Sequence, residues 1–384
     1  MEINEFIQNY GILESKACKS KSNLEVSAFT PVAFQNNGFR TDIESKDQLY
    51  KYIDTMHVGR FSQNLFLLGE GLTTPEFELF KESVKISIEF TKSLGKELIP
   101  INALTRAFIS YRAIKSLSAN FNELTSICEI GPGSGYLGLL CGLSGFPYSS
   151  VDVTKNLTTY QNALWNFANI KVKFAGVQGD YSGNHFLQIP WWEWSNLKTI
   201  LPERNIVVMN HVIKEMTPLS LRFSIRRFTD LGAKFVTAEG LGYSTNPKNT
   251  FSIIDNCSVI HNGTINRNYQ KIWLWKINKR ENKKVDVLGS HSDDTFSLIH
   301  KAKIYILTFL ESTRLFRKLG YGSIKFKQKV LYRYQMKQKL SSMMVQPKIV
   351  VSKNELVDFL ISCNSNLISD DDLFMTYSMT SQHL

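Results

Sequence analysis

"ICEIGPGSGYLG", residues 127–138, places three alternate glycines directly after an apolar run. Glycine has no Cβ, so such a stretch lets the backbone turn sharply and lets a ligand approach closely. "SICEI" (126–130) reads as a buried strand and "YLGLLCGLSG" (136–145) as the helix after it. Strand, glycine turn and helix together form a corner whose helix N–H groups face a ligand.

The ligand is narrowed by what the corner lacks. A phosphate-binding loop of the GxxxxGK[ST] kind needs a lysine after the glycines, and none follows. The dinucleotide pattern GxGxxG needs a third glycine at 136, where Tyr136 stands. The glycines fall instead at 131, 133 and 135, preceded by Glu129. A carboxylate there suits a cationic ligand and repels a pyrophosphate. Asp152 closes the next apolar run, "SSVDV" (149–153), 17 residues after Gly135. At that position a carboxylate accepts hydrogen bonds from ribose hydroxyls.

Beyond Asn122 short apolar runs alternate with amphipathic stretches. "VKFAGVQ" (172–178), "NIVVMN" (205–210) and "AKFVTAEG" (233–240) read as further strands, with helices over "TTYQNALWNFAN" and "PLSLRFSIRRFTDLG" (218–232). "CSVIHNG" (257–263) and "KIWLWKI" (271–277) follow without a helix-length connection and read as an antiparallel pair. The expectation is an α/β, doubly wound, mostly parallel sheet of seven strands.

Ahead of it, residues 1–43 read as an irregular arm. "TTPEFELFKESVKISIEF" offers Thr74 as a helix cap, with Phe77, Phe80, Val84 and Ile88 on one face. "INALTRAFISYRAIKSL" repeats that pattern with Leu104, Phe108, Tyr111 and Ile114. Three regions follow: an N-terminal arm and helical cap (1–120), the nucleotide-type domain (121–280) and a basic helical extension (281–384). Helices are expected near 294–319 and 323–341 of that extension.

The net charge of +11 is concentrated late in the chain. Between Arg267 and Lys339 stand 18 Lys and Arg against 5 Asp and Glu, leaving the remainder slightly acidic. A solvated helical surface is the simplest reading of such a run; an anionic partner is the alternative. Five scattered cysteines without CxxC spacing fit reduced thiols and a cytoplasmic chain better than a disulfide framework. The opening "MEINEFIQNYGILESK" has no secretory-signal organisation, and no apolar run is of membrane-spanning length.

The E-x-G-x-G-x-G pattern resembles the first motif of S-adenosylmethionine-dependent methyltransferases. Together with "VDVTKNL" (151–157), "IPWWEW" (189–194) and "NHVIKEM" (210–216), residues 100–240 resemble bacterial putative sugar O-methyltransferases. That resemblance implies a Rossmann-like methyltransferase domain binding S-adenosyl-L-methionine through Glu129, Gly131, Pro132, Gly133, Ser134, Gly135, Tyr136, Asp152, Val153, Asp180 and Asn210. It also implies a sugar, sugar nucleotide or glycan acceptor in surface-polysaccharide biosynthesis.

Chemistry at "NHVIKEM" follows from position, because ligands of doubly wound sheets sit beyond the carboxyl ends of the strands. Methyl transfer to a hydroxyl needs alignment and a base for the departing proton. His211, an imidazole that titrates near neutrality, is the first candidate base; a helix-capping or core histidine is the competing reading. Glu215 would orient it from one helical turn on, and His185 is a second candidate base. Trp191, Trp192 and Trp194 would either stack on sugar faces or plug the sheet. Tyr111 and Arg112 are expected to close the cofactor site, and Arg267 with the lysines after it to attract a phosphate-bearing acceptor. No metal is expected, since Asp293, Asp294 and Asp370 to Asp372 lie far along the chain. Methylation of an amine or phenol is an alternative, as is an RNA-binding methyltransferase-like protein, although no nucleic-acid recognition motif or "NPPY" signature is present. The basic helices would also suit weak attachment to an anionic membrane or a second copy of the chain.

Overall fold

The computed structural model describes residues 2–29, 41–49, 72–95, 101–118, 126–176, 181, 185–196, 205–213, 216, 218–239, 263–267 and 270–276, with 355, 359, 362 and 363. The chain divides into two compact units, Met1–Asn278 with Met343–Leu384, and Lys279–Ser342. All described residues belong to the first. The expected helices of the basic extension, the lysines beyond Lys276 and both aspartate clusters lie outside the described residues.

Eight strands form one sheet: β1 (Ile127–Ile130), β2 (Tyr148–Asp152), β3 (Lys173–Phe174), β4 (Phe186–Pro190), β5 (Ile206–Val208), β6 (Phe235–Ala238), β7 (Gly263–Arg267) and β8 (Gln270–Lys276). Their order is β3-β4-β2-β1-β5-β6-β8-β7. The first six are parallel, and β8 and β7 continue the sheet antiparallel. Among the described residues the sheet therefore has eight strands, where seven are expected. The extra one is "FLQIP", all five residues buried, running from Phe186 to the proline that ends it. The penultimate strand starts at Gly263, while 257–262 lie outside the described residues.

Parallel strands buried on both sides need helices on both faces. On one face lie α5 (Tyr136–Leu143) and α6 (Lys155–Phe167), covered in turn by α3 (Thr74–Ser93) and α4 (Ile101–Ser118). Leu104, Phe108, Tyr111 and Ile114 of α4 are all buried, as their spacing predicts. The cap of α3 is Thr73, one residue before the expected Thr74; Thr73 and Glu76 bond reciprocally as a capping box.

The opposite face carries Cys128, Ile130, Val151, Leu187, Ile189, Val207, Val236 and Ala238. Leu221, Ile225 and Phe228 of α7 (Pro218–Asp230) pack in this cluster, together with Phe6 and Tyr10 of α1 (Ile3–Ser20) and Phe29 of α2 (Asn23–Phe29). Residues 3–20 and 23–29 are thus helical and contribute to the core, where an irregular arm is expected. Phe6, Tyr10 and Ala17 make the buried stripe of α1, hidden in the sequence among Asn, Lys and Ser.

Candidate functional site

The glycine corner joins β1 to α5. Gly131, Gly133 and Gly135 all take positive φ, 66°, 57° and 77°, so each alternate glycine is required by the backbone. A Cβ on Gly131 would sit 2.6 Å from Val212 Cγ2, and one on Gly135 would sit 2.9 Å from Gln161 Cγ. The loop is pinned by its own backbone, Gly131 N–H donating to Val151 O (2.8 Å) and Gly135 N–H to Pro132 O (2.9 Å). Trp165 Nε1–H donates to Gly135 O at 2.9 Å. Pro132 and Ser134 are buried in this turn. Tyr136 opens α5 with its side chain turned inward, its hydroxyl 3.2 Å from that of Tyr160.

Two carboxylates flank the corner. Glu129 is buried, and Tyr148 Oη donates to its Oε2 at 2.5 Å. Burial pushes its carboxyl up to about 7, against the Tyr148 hydrogen bond, which pulls it down. Asp152 ends β2; its Oδ1 accepts from Thr154 N–H and Thr154 Oγ1 (both 2.9 Å) and its Oδ2 from Gln161 Nε2 (2.9 Å). Burial raises this carboxyl too, opposed by those hydrogen bonds. Gln161 also donates to Gly133 O at 2.7 Å, tying the loop to the carboxylate. It is a site residue that sequence reasoning missed. Val153 follows Asp152 at the same strand end.

The second corner lies beyond β5 and β6. Met209 N–H bonds Thr237 O and His211 N–H bonds Glu239 O (both 2.8 Å), extending the ladder past the strand ends. His211 sits at φ 56°, a left-handed conformation that non-glycine residues rarely adopt. The segment 210–213 is a turn. Glu215 and Asp180 lie outside the described residues. The carboxylate that meets the imidazole is Glu239, whose Oε1 is 3.1 Å from His211 Nε2. Arg106 Nη1 of α4 approaches the same nitrogen at 3.3 Å. One turn along α4, Ser110 Oγ accepts from Asn210 Nδ2 at 2.7 Å. Arg106, Ser110 and Glu239 were not legible in the sequence as partners of this turn.

The two corners touch through Val212, which packs on Gly131. Glu129, the glycine turn, Asp152, Asn210 and His211 are thereby gathered at one edge of the sheet. His185 is not. Its carbonyl accepts from Tyr148 N–H at the start of β2, so it stands at the amino ends of the strands, where expectation placed it at the carboxyl edge. Trp191, Trp192 and Trp194 are buried. Trp191 Nε1–H donates to Glu14 and Trp192 packs edge-on to Tyr10, so they anchor α1 and offer no sugar-stacking face. Tyr111 bonds Ser144 and Arg112 pairs with Glu76, both away from the turn that they were expected to close. Arg267 belongs to β7, paired with Gln270.

Among the described residues no cluster of His, Cys, Asp or Glu could hold a metal ion, and no helix is long and apolar enough to cross a membrane. Cys18, Cys128, Cys141 and Cys363 are free thiols.

No protein-family model matches the chain, and no curated protein is significantly similar to it. Solved structures do resemble it, at low similarity. The bifunctional kinase-methyltransferase WbdD is 13% identical over 46% of this chain and 40% of its own, with a TM-score of 0.31. The magnesium protoporphyrin IX methyltransferase ChlM of Synechocystis PCC 6803, with bound SAM, is 11% identical over 61% and 98%, with a TM-score of 0.30. The ribosomal protein L11 methylase of Lactobacillus delbrueckii subsp. bulgaricus is 13% identical over 44% and 78%, at 0.31. The chain spans about two fifths of WbdD's length. Scores near 0.3 carry no weight for this chain's chemistry. On its own strand order and glycine corner, the chain has a Rossmann-like α/β fold.

Proposed function

We propose that the protein is an S-adenosylmethionine-dependent O-methyltransferase acting on a sugar hydroxyl, with His211 as general base. The observation that carries this reading is the juxtaposition, through Val212 on Gly131, of a glycine corner flanked by carboxylates with an imidazole between two charged groups.

The donor set of the first corner fits the cofactor. Glu129 and Asp152 flank the turn, and no Lys or Arg occurs between Ser126 and Thr154. A pyrophosphate would meet two carboxylates and no cation there, whereas a sulfonium or ammonium group is attracted. An ionised carboxylate offers about four acceptor positions. Asp152 already accepts from Thr154, Gln161 and the Val153 N–H, and a ribose hydroxyl would share its oxygens with them. Gly133, at positive φ, keeps a side chain out of the turn, and Gly135 lets Gln161 and Trp165 of α6 pack close behind it.

When bound, S-adenosylmethionine supplies a methyl group on a cationic sulfur that an oxygen nucleophile can displace. The protein's part is to bring the acceptor hydroxyl beside His211, which takes its proton, and to exclude water from that approach. Asn210, already tied to Ser110, would hold the acceptor or the amino-acid end of the cofactor in place.

The assay is transfer of a labelled methyl group from S-adenosylmethionine to a panel of sugar nucleotides and glycans, beside amines and phenols. Label in the sugars, lost in His211→Gln, supports the proposal. Label only in amines would sink the sugar reading, and cytoplasmic glycan synthesis with it.

A further inference from the structure

His211 Nε2 has two suitors and can satisfy one. A neutral imidazole nitrogen either carries a proton and donates, or lacks one and accepts. If Nε2 carries the proton, it serves Glu239 Oε1 at 3.1 Å, and the Arg106 N–H at 3.3 Å faces another N–H. If Nε2 is bare, it accepts from Arg106, and two electron-rich atoms face each other across 3.1 Å. The outcome decides which nitrogen is left to act as a base.

The surroundings of the two claimants are unequal. Glu239 is only 2% exposed, and its other oxygen, Oε2, is buried with no partner among the described residues. Taking the N–H from Oε1 would leave an ionised carboxylate bare in the interior, the most costly kind of unmet polar group. Arg106 is half-buried and its Nε too lacks a partner among the described residues, but its remaining N–H groups are spread over two terminal nitrogens, so losing one contact leaves others to reach an acceptor. Its neighbour N–H also repels Nε2–H, which turns the guanidinium toward any other acceptor.

We infer that Glu239 is the positioning residue of the site: it holds His211 in the Nε2–H tautomer, so that Nδ1 is the atom that takes the acceptor's proton. This rests on the reading of His211 as the base. No partner of Nδ1 is seen among the described residues, and the side chain is 30% exposed, so this nitrogen is open to a substrate. In the transfer, the hydroxyl proton goes to Nδ1 as the oxygen forms its bond to the methyl carbon; the carbon–sulfur bond breaks and its electron pair stays on sulfur. The imidazolium so formed keeps its Nε2–H on Glu239, where the carboxylate stabilises the new charge. Arg106 is left free to meet an oxyanion. The left-handed backbone at His211 is what aims the ring between Glu239 and α4, strain of the kind retained where geometry matters.

The test reads the tautomer directly. Histidine labelled with ¹⁵N is examined by long-range ¹H–¹⁵N correlation at a pH where the ring is neutral. The His211 signal is assigned among the chain's seven histidines by its loss in His211→Gln. The expected result is a bare Nδ1 and a protonated Nε2 in the wild type, in Arg106→Gln and in Glu239→Gln, whose amide oxygen can still accept. Glu239→Leu should move the proton to Nδ1, with turnover down about tenfold or more and S-adenosylhomocysteine affinity unchanged, the signature of a wrong tautomer. A protonated Nδ1 in the wild type, or a tautomer indifferent to Glu239→Leu, overturns the inference. If Glu239→Leu does not fold, the wild type and Arg106→Gln decide. The spectra need no acceptor, so the tautomer can hold where methyl transfer fails. If His211→Gln is inactive but Nδ1 carries the proton, the methyltransferase reading stands and this one falls.

Discussion

The two corners at the carboxyl edge of the sheet are built in opposite ways. At the glycine corner most polar groups are paired inside the protein, Ser150 Oγ excepted: Glu129 with Tyr148, Asp152 with Thr154 and Gln161, Gly133 O with Gln161, Gly135 O with Trp165. At the histidine corner they are not. Thr105 Oγ1 and Arg106 Nε of α4, Thr237 Oγ1 of β6 and Glu239 Oε2 just beyond it are buried without a partner among the described residues, and two charged groups share one imidazole nitrogen. Buried polar groups left unpaired are uncommon and costly. The contrast teaches a division of labour. On the function proposed above, the first corner would receive the nucleoside and the second the acceptor, whose groups would meet the unpaired ones.

The largest expected effect breaks the second corner and leaves the first. His211→Gln should lower methyl transfer about 10²- to 10⁴-fold, the usual contribution of a general base, with S-adenosylhomocysteine affinity unchanged. Equal loss of both would mean that the corners do not divide the work, and that His211 is structural.

A smaller effect marks the first corner by its pH dependence. Glu129 is raised to about 7 by burial, so its contribution to stability is complete below the ordinary carboxylate range and is lost as pH rises toward 7. The loss is on the order of 3 kcal/mol for a shift of this size. In urea unfolding of the ligand-free protein, the wild type should therefore lose stability relative to Glu129→Gln between pH 5 and pH 8. A difference that stays constant across that range would show that Glu129 is not held in this way.

Smaller still is the effect on the contact that joins the corners. Gly131→Ala places a methyl group against Val212 at a residue with φ 66°. The backbone strain alone costs about 1–2 kcal/mol. Adding Val212→Ala should recover the steric part, measured as the unfolding midpoint of the double variant against the single one. No recovery would mean that Val212 is not the neighbour that matters.

How much of this was legible differs between the corners for the same physical reason. The glycine corner is local: Glu129, the three glycines and Asp152 lie within 24 residues and obey a backbone rule that only glycine satisfies at positive φ. The stripe Leu104, Phe108, Tyr111 and Ile114 was legible because helical periodicity is local as well. The histidine corner is assembled from residues far apart. Glu239 reaches His211 because β5 and β6 are parallel neighbours, and Arg106 reaches it from a helix more than 100 residues earlier. The one available signal was an acid at the end of the strand after "NHV", at a sheet position next to it. The helical spacing of "HVIKE" drew attention to Glu215, which lies outside the described residues, and away from Glu239. "FLQIP" was passed over as a strand because it is short and runs into Pro190 and a tryptophan cluster. Of the two readings of the tryptophans, sugar platform or plug over the sheet, the burial favours the plug, with α1 packed on Trp191 and Trp192; α1 itself is masked in the sequence by its polar composition.

The central claim is that the first corner receives S-adenosylmethionine. Titration calorimetry of the whole protein with S-adenosylhomocysteine tests it without any knowledge of the acceptor. The account predicts saturable one-to-one binding, weakened at least about tenfold, roughly 1.4 kcal/mol, by Asp152→Ala, and left unchanged by His211→Gln. Absence of binding by the wild type, or binding indifferent to Asp152, would contradict it.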